Sequence, residues 1–78
     1  MRPLTTEKAV MLIERENVLT FQTERQKTKE QIKKEIEDLF EVKIERVRTL
    51  IRGGKKYAYV KLKKEFPALD LATKLGLM

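Results

Sequence analysis

The 78-residue sequence contains no cysteine and no histidine. The first absence removes disulfide frameworks, thiolate zinc sites and thiol catalysis together. The second takes away the usual metal ligand and the usual base at neutral pH. No cofactor is therefore expected. No apolar run approaches the roughly 20 residues that span a bilayer. The opening Met1-Arg2-Pro3-Leu4-Thr5-Thr6-Glu7-Lys8 also lacks the apolar stretch of a secretory signal. The expectation is a cytoplasmic chain that is not membrane-embedded. Asparagine occurs once, while lysine and glutamate are plentiful, a composition similar to that of thermophile proteins.

This length is enough for one domain, taken here as residues 1–78. So small a domain buries only about 60% of its unfolded surface, which favours a fixed partner.

What the sequence does have is positive charge, and it is unevenly placed. Eighteen lysines and arginines face twelve aspartates and glutamates, a net charge of +6. Residues 1–16 and 24–43 are each balanced, and residues 17–23 carry no charge. Residues 44–64 hold Arg46, Arg48, Arg52, Lys55, Lys56, Lys61, Lys63 and Lys64 against Glu45 alone. A solvated surface would spread its charge more evenly. Eight concentrated cations are the footprint of a polyanion binder.

The chain reads as a succession of short elements. Thr5 or Thr6 can cap a helix through about Ile13, and Asn17 marks a turn. Val18 to Thr23 is rich in β-formers and alternates, so Leu19 and Phe21 share a buried face. Thr28-Lys29-Glu30-Gln31 fits a capping box. Ile32, Ile36, Leu39 and Phe40 then recur on one stripe of a 3.6-residue period.

Val42 to Arg52 reads as a strand whose phase changes. Val42 and Ile44 share one parity; Val47, Thr49 and Ile51 share the other. A β-bulge near Glu45-Arg46 brings both sets to the core side. Gly53-Gly54 supplies a tight hairpin turn. In the return strand, Lys56 to Lys63, Ala58, Val60 and Leu62 alternate with Tyr57, Tyr59 and Lys61. Pro67 opens a last helix at its first position. Leu71 and Leu75 lie one turn apart, and Gly76 is a C-cap followed by hydrophobic Leu77.

The predicted fold is α+β, a two-layer sandwich. A short N-terminal helix precedes β-α-β-β-α, with a three-stranded antiparallel sheet whose third strand is central. Helices are expected on one sheet face. The bulge then places Arg46, Arg48 and Arg52 on the open face with Tyr57, Tyr59 and Lys61. Guanidinium groups pair bidentately with phosphate, and phenol rings stack on unpaired bases. The element order invites comparison with the RNA recognition motif, but Lys56-Tyr57-Ala58-Tyr59-Val60 matches only part of its signature.

Catalysis finds no support. The carboxylates fall mainly on polar helix faces, where pairs such as Glu30 with Lys34 and Lys33 with Glu37 account for them. Gly53-Gly54-Lys55 lacks the spacing and the following helix of a phosphate loop. Neither an enzyme nor a small-molecule substrate is expected.

Three blocks resemble the family of the large-subunit ribosomal protein numbered twenty-three, in register along nearly the whole chain. They are Pro3 to Ala9, Thr28 to Val42, and Val47-Arg48-Thr49 with Lys56 to Leu62. The resemblance implies a β-α-β-β-α domain that binds large-subunit rRNA near the polypeptide exit tunnel, among neighbouring ribosomal proteins. On this reading the RNA contacts expected from the basic stretch and its sheet face are Arg46, Arg48, Arg52, Lys55, Lys56, Tyr57, Tyr59, Lys61 and Lys63, with Arg2 and Lys8 nearby. Glu7 matches a glutamate that contacts the chaperone trigger factor in bacterial relatives, although the helix dipole alone also favours an acidic residue there. Arg48 stands where the family often has asparagine. The hairpin, reduced to Arg52-Gly53-Gly54-Lys55, is similar to that of the archaeal short form. The factors implied for that form are the signal recognition particle, the nascent-chain complex or the translocon. The competing expectation is a protein-interaction module whose basic sheet face binds an acidic partner.

Overall fold

Thr28 begins the longest helix in the way its sequence predicts. Its hydroxyl accepts a hydrogen bond from the Gln31 N–H at 3.2 Å, and the Gln31 side chain accepts from the Thr28 N–H at 2.9 Å. Two N–H groups that the helix leaves unpaired are thereby satisfied. The computed structural model in which this is seen describes residues 2–76. Its elements are β1 (Arg2–Pro3), α1 (Glu7–Glu16), β2 (Val18–Thr23), α2 (Lys29–Phe40), β3 (Ile44–Arg52), β4 (Lys55–Leu62) and α3 (Ala68–Lys74).

The sheet runs β1-β2-β4-β3 and is antiparallel throughout. The α+β class holds, as does the central position of the last strand. The expected three strands are four, because Arg2 and Pro3 pair with Gln22 and Phe21 at the edge. A proline dipeptide carries no strand signal. It is tolerated here because an edge strand leaves the ring without a ladder bond to make. Leu4 continues the join, its N–H donating to the Thr20 carbonyl at 3.0 Å.

The predicted bulge is present. Ile44 faces Leu62 and Arg46 faces Lys61, so Glu45 is the extra residue. Ile44 and Val47 therefore both reach the core despite their opposite parity. Glu37 secures this entry, its carboxylate accepting from the Ile44 N–H at 2.9 Å.

One face of the sheet gives Leu19, Phe21, Ala58, Val60 and Leu62 to the core, where Ile32 and Ile36 of α2 are fully buried. Each such side chain contributes about 1.5–3 kcal/mol of burial. Leu39 was expected on the same stripe but is 66% exposed. At that end of α2, Phe40 of the same stripe and Val42 pack on the core as expected. Ile51, expected on the core side, is 54% exposed beside the hairpin turn.

The expectation that helices lie on one face alone also changes. Val18 and Thr20, which point away from Leu19 and Phe21, are buried as well. α1 runs back along β2 because the two are joined by Asn17 alone, in the left-handed conformation (φ 59°, ψ 38°). The helix ends at Glu16, one turn beyond the expected Ile13. Pro67 is the N-cap of α3, one position before its expected place. Gly76 has the positive φ expected of a C-terminal glycine, and Leu77 lies outside the described residues.

Candidate nucleic-acid interface

The hairpin turn sets the geometry of the open face. Gly53 and Gly54 have φ of +58° and +78°, values at which most side chains are strained and which match the right-handed twist of the flanking strands. From this turn the register runs Arg52–Lys55, Leu50–Tyr57, Arg48–Tyr59, then Arg46–Lys61. Partners in an antiparallel pair project to the same side, so all eight residues share the face opposite α2.

The rows continue across β2. Tyr59 faces Thr20, and Tyr57 faces Gln22, which in turn faces Arg2. Lys8 arrives from another direction: with Leu12 and Glu16 it forms one stripe of α1, bordering a shallow groove against Arg48, Tyr59 and Lys61. The structure thus gathers Arg2, Lys8, Arg46, Arg48, Arg52, Lys55, Tyr57, Tyr59 and Lys61 around one surface. The tyrosines and Lys61 are half-buried, and the other six are exposed.

Two expected members are elsewhere. Lys56 projects to the helix side, where its ammonium donates to the backbone carbonyl of Lys27. Lys63 lies past the end of β4, its N–H bonded to the Lys43 carbonyl. It lines a separate groove together with Glu16, Glu45 and Glu65. Glu7 is exposed in the first turn of α1, which Thr6 caps through the Ala9 N–H at 3.2 Å.

The charge on this face is scarcely neutralised. Lys61 approaches Glu45 at 3.9 Å, an exposed contact at the outer limit of an ion pair. Among the described residues, no carboxylate comes within ion-pairing distance of Arg46, Arg48 or Arg52. Leu12, Thr20 and Leu50 border the same surface and escaped the sequence reading. Leu50 was legible in principle, since the bulge parity that places Arg48 and Arg52 also places the residue between them in register.

This arrangement defines a class, the small basic α+β domains that present a cationic, tyrosine-bearing sheet face. Residues 1–68 match the sequence profile of a family described as Ribosomal protein L23. The chain is also 51% identical over 78 residues to the Large ribosomal subunit protein uL23 of Pyrobaculum aerophilum, covering 99% of this chain and 96% of that protein. The chain belongs to the ribosomal protein L23 family. It is a structural component of the ribosome and not an enzyme, and the resemblance carried by Pro3–Ala9, Thr28–Val42, Val47–Thr49 and Lys56–Leu62 is a true family relation.

Proposed function

We propose that this chain, a structural constituent of the cytoplasmic large ribosomal subunit, binds large-subunit rRNA near the polypeptide exit tunnel through the open face of β3 and β4. The register of that hairpin carries the reading. It lines up Arg46, Arg48 and Arg52 beside Tyr57 and Tyr59, with no carboxylate partner for the arginines among the described residues. Cations so placed exchange counterions for phosphates, and the flat rings beside them suit unpaired bases or ribose. Arg2, Lys8, Lys55 and Lys61 extend the same surface.

The exposed start of α1, with Glu7, supplies a docking surface for nascent-chain factors. The family resemblance suggests the signal recognition particle, the nascent-chain complex or the translocon. Neighbouring ribosomal proteins cover apolar side chains away from the RNA face, such as Leu39 and Leu69, which are 66% and 47% exposed.

Hydroxyl-radical footprinting of large-subunit rRNA with the purified chain, over a range of salt, tests this. A compact protected region in one rRNA domain that persists in moderate salt is expected. Diffuse protection that vanishes as salt rises would overturn it, and an acidic protein would become the better partner for the basic face.

A further inference from the structure

Two shallow grooves on the open face meet along one line. Lys8, Leu12, Leu50 and Tyr59 border both. The larger, of about 370 Å³, runs on toward Arg48. The smaller, of about 280 Å³, runs toward Tyr57 and has Thr20 in its lining. These volumes sit near the lower end of the roughly 300–1,000 Å³ typical of ligand pockets, a size for one planar group.

Thr20 is only 5% exposed, and its hydroxyl has no hydrogen-bond partner. A buried hydroxyl is normally paired; this one is unpaired and covered in the present rotamer, in a residue that lines the groove. Rotation about its Cα–Cβ bond, among staggered positions, can turn that hydroxyl toward the groove. Leu12, Leu50 and Tyr59 supply apolar and aromatic walls, and Lys8 and Arg48 place positive charge at the rim.

A flat apolar wall, a polar group on the floor and cations at the edge match the three parts of a nucleotide: ring, base edge and phosphate. An acidic peptide would use the cations and leave the ring wall and the hydroxyl without a role. We infer that this cleft receives one unpaired base of the bound RNA, its ring against Tyr59 and Leu12, its edge toward Thr20 and its phosphate on Lys8 and Arg48. The inference rests on the rRNA-binding reading and names the site where that RNA is gripped.

The test is base-edge probing of large-subunit rRNA, with dimethyl sulfate and a carbodiimide, run beside hydroxyl-radical footprinting of its backbone. The full chain and the variants Tyr59→Leu, Tyr59→Phe and Thr20→Val are compared, each first confirmed to unfold cooperatively. The wild type and Tyr59→Phe should shield one unpaired base within the footprint. Tyr59→Leu and Thr20→Val should lose that shielding while the backbone footprint stays, with Tyr59→Leu binding about five-fold or more weakly. Should Tyr59→Leu not fold, Lys8→Gln takes its place and should weaken the same base protection. Base protection identical in every variant, or no protected unpaired base inside a clear footprint, overturns the cleft and leaves rRNA binding standing. No footprint from the wild type overturns rRNA binding itself.

Discussion

The side-chain oxygen of Asn17 accepts a hydrogen bond from the backbone N–H of Ala68, fifty-one positions away along the chain. Ala68 is the first residue of α3, and Pro67 before it has no side chain able to cap the helix. Asn17 performs that task while ending α1 in the left-handed conformation. Its amide also donates to the carbonyls of Leu62, at 3.1 Å, and Phe66, at 3.3 Å. A single side chain thus ties the end of α1 to the end of β4 and the start of α3. It also fixes the strip of α1 that carries Lys8 beside Tyr59.

Asn17→Ala loses both the left-handed preference and the hydrogen bonds, and should destabilise the protein by about 2–4 kcal/mol. Asn17→Gly keeps the backbone freedom and loses only the bonds, so about 1–2 kcal/mol is expected. Urea unfolding of the two variants separates these contributions. Equal losses would mean that the backbone conformation contributes nothing.

The hairpin turn predicts a purely backbone effect. A Cβ added at Gly53 meets no atom within 4 Å, so Gly53→Ala incurs no clash and costs about 1–2 kcal/mol through its positive φ alone. Gly53→Asn, which tolerates that conformation, should cost less. Thermal unfolding followed by circular dichroism checks the order.

Charge on the two sides of β4 should act differently. Arg48→Ala should reduce the slope of log affinity against log salt for large-subunit rRNA by about one. Lys56→Ala should leave that slope unchanged and loosen the Lys27 loop, because its ammonium already bonds the Lys27 carbonyl. A double variant with a slope change of about two would place Lys56 on the RNA after all.

α2 offers a comparison of two residues on one stripe. Ile36→Ala should cost about 2–5 kcal/mol, since its fully buried side chain leaves a cavity. Leu39→Ala should stay within about 0.5 kcal/mol in the free chain, because its side chain already meets solvent. Chemical denaturation of both measures the difference directly.

Much of the architecture was legible from local rules. The Thr28–Gln31 box, the 3.6-residue spacing of Ile32 and Ile36, and the Gly53-Gly54 turn each act over a few residues, and each is found where expected. The bulge at Glu45 was legible for a similar reason: two apolar sets of opposite parity can share a core only if one residue is extra. Once placed, that bulge put Arg46, Arg48 and Arg52 on the face of Tyr57, Tyr59 and Lys61.

The sequence by itself therefore determined the main elements, the phase of the hairpin and the family, because each follows from spacing or from matching residues. Tertiary structure decided the rest. Arg2-Pro3 becomes a strand only because β2 presents a free edge to it. α1 borders the open face only because Asn17 reverses the chain there and is held by α3. Lys56 leaves the RNA face for a carbonyl twenty-nine positions away, and Leu39 stays exposed while Phe40 of the same stripe packs on the core. These outcomes depend on groups distant in sequence that meet only in the folded chain, and no local period encodes such meetings.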